Sequence, residues 1–274
     1  MKIVGCVVLY QPSEQNIAHI VAYAHLFDDF YVLDNSDFAD SACVAPLCAL
    51  RNVQYISMGG NQGIAAALRL GLEYAINDEA DFCLTMDQDS TFPVESMGEI
   101  REYLSRSDID DYAIIALNYE GTDTEKKLVC VPTWITSGNF INVKNYRLIK
   151  GFREELFIDS VDHELCHQFY VIGKKVAYIN HIRIGHSLGN PSDACLFGRH
   201  VTLPNHSPLR YYYRFRNNFV LYREDKRFFR GIRRADRHQV IKILLFENNK
   251  TEKLRMIRRG IRDAKAGKLG KFEG

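Results

Sequence analysis

With 274 residues, 46% of them hydrophobic, the chain is long enough for one large α/β domain with an appendage. No apolar run approaches the roughly 18 residues of a membrane span, no secretory leader opens the chain, and the seven cysteines lack zinc or C-x-x-C spacing, which points to reduced thiols in the cytosol. The net charge of +1 conceals an acidic body, with 18 Lys/Arg against 27 Asp/Glu, and a basic tail from Arg223 onward, with 17 against 7.

Residues 2–10, KIVGCVVLY, are a continuous apolar run, as expected of a strand buried on both faces. Ile17, Ile20, Val21, Ala24 and His25 recur at helical spacing and predict a helix over 14–26. A second strand, Phe30 to Leu33, ends in Asp34-Asn35-Ser36. A third, VQYIS at 53–57, leads through glycines and Asn61 into a helix with Ala65, Leu68, Leu72 and Ile76 on one face. The apolar run Phe82, Cys83, Leu84, Met86 then breaks into Asp87-Gln88-Asp89-Ser90. This repeated strand-then-helix order predicts a doubly wound, mostly parallel sheet.

Beyond Asp89 the spacing predicts a helix over about 93–105, the strand YAIIALNY, a polar loop at 121–127 and a short strand LVCVP. TWITSGNFINV crosses through Ser137-Gly138-Asn139, where glycine permits close backbone approach to a ligand. A turn and a helix from about Ser160, closed by Gly173, precede the strand KVAYIN. The stretch from Gly189 to Pro208 reads as a loop. Helices follow over about 208–223, 228–246 and 251–265.

Ligands of open α/β sheets gather at the carboxyl ends of strands. Asp87 and Asp89 would repel each other there unless a hard divalent ion, Mg2+ or Mn2+, sat between them and diphosphate oxygens; an acidic turn is the plainer account. Asp34 could accept the N3–H of a pyrimidine or serve a turn. Asn61 to Gly63 open a helix whose N–H groups could face an anion. Asp159, Asp162 and Glu164 crowd a helix start, where they either favour the dipole or present a general base. His186 is a ligand or a structural histidine. Arg210, Arg214 and Arg216 could pair with phosphates or stay solvated.

Together VVLYQP, VLDNSD, NQGIAAAL, LTMDQDS, TSGNFIN, GFREELFIDSVDHELC, HSLGN and HSPLRYYYRFRN resemble family-2 glycosyltransferases of the GT-A fold, in their rhamnosyltransferase-like branch, over roughly residues 3–222. The resemblance implies a GT-A catalytic domain over 1–205, with a nucleotide-binding half 1–90 and an acceptor half 91–205, and a helical extension 206–274. It implies Asp34 as base-recognising residue, Asp87, Asp89 and His186 as metal ligands, with Asp89 the more direct, and Asp162 as catalytic base. Tyr10, Asn61, Gly63, Gln88, Ser137, Gly138, Arg210 and Arg216 are expected on the nucleotide sugar, and Trp134, Asn139 and Glu164 on the acceptor. The chain departs from the family at Gln11, Lys150 and Gln168, the last replacing a common arginine.

The activity implied is inverting transfer of rhamnose from dTDP-rhamnose, or of galactofuranose or another hexose from a UDP donor, onto a glycan or lipid-linked acceptor. A phosphatase of the haloacid dehalogenase type is the rival for Asp87 to Thr91, and a non-catalytic sugar-nucleotide module a third reading. The tail interleaves its cations with Phe228, Phe229, Ile232, Ile241, Leu244, Leu245, Leu254, Ile257 and Ile261. Leu254, Ile257 and Ile261 at helical spacing predict an interfacial helix on an anionic membrane, placing the protein peripherally on the cytoplasmic face of the inner membrane. A solvated helical appendage or a homo-oligomer contact is the alternative, and no motif supports nucleic-acid binding.

Overall fold

The computed structural model describes all residues except 39, 120–124, 186–191 and 197–198, and only the backbone of 192–196 and 199–202. In chain order the first half alternates β1 (Ile3–Leu9), α1 (Glu14–Ala24), β2 (Phe30–Asp34), α2 (Ser41–Cys48), β3 (Val53–Ser57), α3 (Ile64–Asn77) and β4 (Phe82–Asp87). Then come α4 (Met97–Leu104), β5 (Tyr112–Asn118), β6 (Leu128–Val131), β7 (Asn139–Asn142), α5 (Val143–Tyr146), α6 (Val161–Val171) and β8 (Lys175–Arg183). The chain ends with β9 (Ser192–Leu196), β10 (Arg199–Leu203), α7 (Pro208–Glu224), α8 (Arg230–Leu245) and α9 (Lys250–Lys265).

Two compact units emerge: Met1–Glu154 with Asp162–His186, and Glu155–Val161 with Ser187–Gly274. The boundary expected at residue 205 lies within the second unit. The first unit is built on an eight-stranded sheet in the order β3-β2-β1-β4-β7-β5-β8-β6. β1 to β4 pair in parallel, and every residue of β1 is buried, as its unbroken apolar run requires. Ser13 caps α1 in a reciprocal box with Asn16. Helix α3 lies so close to the sheet that a Cβ on Gly71 would stand 2.9 Å from the Cys6 sulfur. The six described cysteines are free thiols.

Three features depart from the sequence reading. Helix α2, capped by Asp40 through the Ala42 and Cys43 amides, was not expected, because it is short and carries Pro46 inside. β7 enters the sheet antiparallel between β4 and β5, and β6 runs antiparallel to β8, so the second half of the sheet is mixed. The stretch expected to be loop-like from Gly189 to Pro208 contains the antiparallel pair β9–β10.

In the second unit α9 packs along α7, and at Gly260 a Cβ would lie 2.5 Å from the Tyr212 carbonyl oxygen. Ile257 is buried with Tyr211, Phe215 and Ile243, while Leu254 and Ile261 pack against that cluster. The apolar face of α9 expected to meet a membrane therefore meets α7, because helical periodicity records that a face is covered without recording by what.

One charge pair lies wholly inside this unit. Glu247 and Lys253 are buried and 2.7 Å apart. The Tyr211 hydroxyl donates to Glu247 (2.7 Å), and Gln239 Nε2 donates both to that hydroxyl and to Glu247. Burial, with the Glu247 hydrogen bond next, raises the Tyr211 hydroxyl far above its ordinary pKa. Removing one member of a buried pair typically costs about 3–5 kcal/mol because the other charge is stranded. Glu247→Ala strands an ammonium, whereas Lys253→Met leaves Glu247 its Tyr211 and Gln239 donors. Urea unfolding should therefore show Glu247→Ala as the more destabilised variant, and equal losses would contradict this account.

Candidate active site

Because β1 to β4 are parallel, their carboxyl ends share one edge: Leu9 is level with Asp34, Asp34 with Ser57, and Val8 with Asp87. The loops leaving this edge are tied to one another. Gln88, between the two aspartates, accepts from the Tyr10 amide (2.7 Å) and donates to the Tyr10 carbonyl (3.1 Å), fastening the acidic loop to the end of β1. Gln11, in the left-handed region at φ 46, donates its amide to the Ser36 hydroxyl. Asn35 Oδ1 accepts from the Gln62 amide (2.7 Å) and Asn61 Oδ1 from the Gly63 amide (3.0 Å). Gly63, at φ 89, makes the turn into α3.

Asp34 lies under this edge and is only 1% exposed. One carboxylate oxygen accepts from the Ser36 amide (2.9 Å) and the other from the Tyr55 hydroxyl. Burial, then this hydrogen bond, raises the Tyr55 hydroxyl well above its ordinary pKa, so it remains a donor at neutral pH. Asp37, which the sequence reading passed over, is exposed and accepts from the Tyr10 hydroxyl (3.1 Å) and the Asn61 amide (3.2 Å). Its only sequence signal was its place three residues past a strand end.

Ser137 is brought beside the acidic loop: its hydroxyl accepts from the Asp87 amide (3.1 Å) and donates to Ser90 (2.8 Å). Gly138, at φ 77, passes between β4 and β5, giving its amide to Thr85 and its carbonyl to Leu117. Asn139 follows inside the sheet with its side-chain oxygen buried and without a hydrogen-bond partner. Thr91 forms a two-bond backbone bridge with Gly185. His186 itself lies outside the described residues. Asp87 and Asp89, both partly exposed, offer hard oxygen donors, and among the described residues no set of three His, Cys, Asp or Glu converges. A pair of carboxylates completed by diphosphate oxygens and water suits Mg2+ better than a closed protein cage would.

Helix α6 presents Asp162 in its first turn, half-buried, with the His163 amide donating to its Oδ1 (2.8 Å). Cys166, one turn on, contacts the Trp134 carbonyl through its sulfur, and burial pushes its thiol up to about 12. Trp134 thus stands beside the Asp162 face of the helix. Its indole is buried, donates to the Leu117 carbonyl and stacks on Tyr178 at 4.2 Å, so one ring face is already covered. Glu164 is buried and accepts from Gln168 through both oxygens (3.0 and 2.8 Å), and Gln168 also binds Gly151 and Lys150 backbone. The glutamine found in place of the common arginine thus neutralises nothing; it orients Glu164 by hydrogen bonds.

The turn leading into α6 is unusual. Phe157, Asp159 and Ser160, none of them glycine, occupy left-handed backbone at φ 66, 65 and 64. Such residues typically cost about 1–3 kcal/mol each unless surrounding contacts hold them. Within the second unit α7 supplies those contacts. Asn217 Nδ2 reaches the carbonyls of Leu156, Ile158 and Asp159 at 2.8–2.9 Å, and Ser160 donates to Asn218. Arg216, 1% exposed, donates to the carbonyls of Glu155, Leu156 and Gly270 and to Asn217. The phosphate contact expected of Arg216 is therefore corrected: its donors are engaged by the Glu155, Leu156 and Gly270 carbonyls and by Asn217. Arg210 is half-exposed and pairs with Asp159 at 3.3 Å.

Asn217→Ala should release three buried carbonyls at once. With each lost hydrogen bond worth about 1 kcal/mol, amide exchange over 155–160 should accelerate at least tenfold while β1 to β4 stay protected. Exchange followed by mass spectrometry checks this, and unchanged protection of the turn would remove the clamp.

Comparison with known proteins fits this edge and this turn. The profile of glycosyl transferase family 2 matches residues 14–177, more than half the chain and including both aspartates. The chain is 27% identical over 244 residues to a Shigella flexneri protein named dTDP-rhamnosyl transferase RfbF, covering 82% of this chain and 81% of that one. Among solved structures, S. aureus TarS superposes with a TM-score of 0.53 at 14% identity, over 95% of this chain and 43% of that one. GalNAc-T7, solved with UDP, GalNAc and Mn2+, gives 0.53 at 10% identity, over 68% of this chain and 43% of that one. The chain thus spans under half the length of either. A match that includes the acidic loop leaves no support for the phosphatase reading of Asp87 to Thr91. The chain belongs to glycosyl transferase family 2 and has the GT-A fold.

Proposed function

We propose that the protein is an inverting, divalent-metal-dependent transferase that moves L-rhamnose from dTDP-rhamnose to a lipid-linked or polysaccharide acceptor in bacterial surface-glycan synthesis. The observation that carries the donor is the similarity, over most of both chains, to a protein named as a dTDP-rhamnosyl transferase. A UDP-hexose is the second reading, favoured by the likeness in fold to a TarS fragment solved with UDP-GlcNAc (TM-score 0.52, 12% identity, 95% of this chain and 72% of that one).

In this reading the nucleotide lies along the carboxyl edge of β1 to β4. Asp34 recognises the base, with Tyr55 and Ser36 fixing its carboxylate, and Asp37 and Tyr10 form the outer rim. The backbone at Asn61 and Gly63 faces the ribose and phosphates. Asp87 and Asp89 would hold the metal, with His186 as a third ligand. A bound Mg2+ or Mn2+ would neutralise the departing diphosphate as a Lewis acid. Ser137 and Gln88 keep the acidic loop in place through Asp87 and Tyr10.

Asp162 acts as general base. Its Oδ1 is oriented by the His163 amide, and Oδ2 takes the proton of the acceptor hydroxyl. The acceptor oxygen bonds to the anomeric carbon as the bond to the diphosphate oxygen breaks, and the nucleoside diphosphate leaves with that electron pair. Trp134, Asn139 and Glu164 shape the acceptor side. No helix among the described residues is long and apolar enough to cross a membrane. A lipid-linked acceptor would bring the enzyme to the cytoplasmic face of the inner membrane as a peripheral protein.

Two substitutions test the roles. Asp162→Asn keeps the shape of the side chain and loses the base, so transfer should fall by about 10²–10⁴-fold while donor binding, followed by calorimetry, is retained. A larger loss from Asp159→Asn in a folded protein would move the base. Asp89→Ala should abolish turnover and make donor affinity indifferent to Mg2+ or Mn2+, and full activity of the parent enzyme in EDTA would sink the metal assignment.

A further inference from the structure

Helix α8 carries an outward face of two halves. Arg230, Arg234, Arg237 and His238 are exposed along its first turns, and Ile241, Leu244 and Leu245 continue the same face at 53%, 49% and 51% exposure. Positions 230, 234, 237, 241, 244 and 245 fall on one side of a helix with 3.6 residues per turn. The opposite side holds Asp236, Gln239 and Ile243, all buried. From Lys226 to Phe246 the chain has seven Lys/Arg and one carboxylate, Asp236, which is 1% exposed. That carboxylate accepts from Arg214 and Asn218 on α7, and burial raises its pKa. The outward arginines therefore face solvent with no acidic neighbour on their own helix surface. Three aliphatic side chains half-exposed in a row are unexplained by packing, since the apolar side of α9 is already covered by α7.

We propose that this outward face of α8 docks on an anionic lipid bilayer, with Ile241, Leu244 and Leu245 entering the headgroup–acyl boundary and Arg230, Arg234 and Arg237 lying on lipid phosphates. Charge complementarity selects this occupant. An isologous contact between two copies would present the same surface twice, and that surface offers arginines without carboxylates to receive them. A bilayer receives both halves at once. The inference moves the membrane contact from α9, where periodicity suggested it, to α8. It extends the lipid-linked acceptor of the proposed function, but it is independent of the donor.

The full chain, without nucleotide sugar, is sedimented with phosphatidylcholine vesicles with and without phosphatidylglycerol. Binding should require the anionic lipid and weaken with salt. A variant with Ile241→Ser, Leu244→Ser and Leu245→Ser, exposed positions that leave the core intact, should lose binding at least tenfold. Arg234→Gln with Arg237→Gln should weaken it roughly 25-fold, from about fivefold for each cation near an anionic leaflet. Both variants should keep transfer to a short-chain, water-soluble acceptor. That readout separates failure here from failure of the transferase reading. Parent-like binding by the serine variant, or no binding by the parent at low salt, would overturn the proposal. A dimer that the serine substitutions dissociate, with lipid binding unaltered, would also overturn it and make the face a contact between copies.

Discussion

The amide of Asn217 reaches three carbonyls in a turn of four residues, and the second unit is arranged around keeping it there. The carbonyls of a turn with three non-glycine residues in left-handed backbone lie outside helix and sheet ladders and need other donors. Arg216 donates to the Glu155 and Leu156 carbonyls and ties in the Gly270 carbonyl from the far end of the chain. Its guanidinium also lies over the Tyr212 and Tyr213 rings, and Tyr213 stacks on Phe157 of the turn. The run of tyrosines and arginines in α7 is therefore a fixture for the residues that immediately precede Asp162.

The same economy appears at the carboxyl edge of the sheet. Parallel pairing brings Asp34 level with Ser57 and sets Asp87, across β1, one residue short of them. What converts an edge into a site is the cross-linking of its loops: Gln88 to Tyr10, Ser36 to Gln11, Asn35 to Gln62, Ser137 to Asp87. Each bond joins segments distant in the chain. A glutamine between the two aspartates fits this arrangement, because its amide can accept from and donate to the same residue, Tyr10. A carboxylate at that position would lose the donor and add a third charge to the loop.

The basic tail separates into two kinds of amphipathic helix. In α9 the apolar side is internal, with Gly260 allowing the backbone of α7 to approach. In α8 the buried side is partly polar, with Asp236 and Gln239 engaged by α7, and three aliphatic residues remain outside. Apolar residues at helical spacing thus have opposite meanings in neighbouring helices.

Much of this was written in local patterns. Unbroken apolar runs announced β1, β2 and β4, because a strand covered on both faces tolerates few polar residues, and the break at Asp87 marked the carboxyl end of β4. Helical spacing located α1, and glycine signals helped to locate α3 and α6. Local pattern did not reveal the antiparallel insertion of β7, the β9–β10 pair or the short α2, since strand direction and pairing depend on partners far along the chain. Nor did it assign Arg216, Asn217 or Gln168: a donor-rich side chain reads the same whether its acceptors are phosphates or backbone carbonyls. Composition and periodicity determined which residues had to be covered or satisfied. Only the tertiary structure decided by what, because the covering group is a neighbour in space and leaves no trace in the residue it covers.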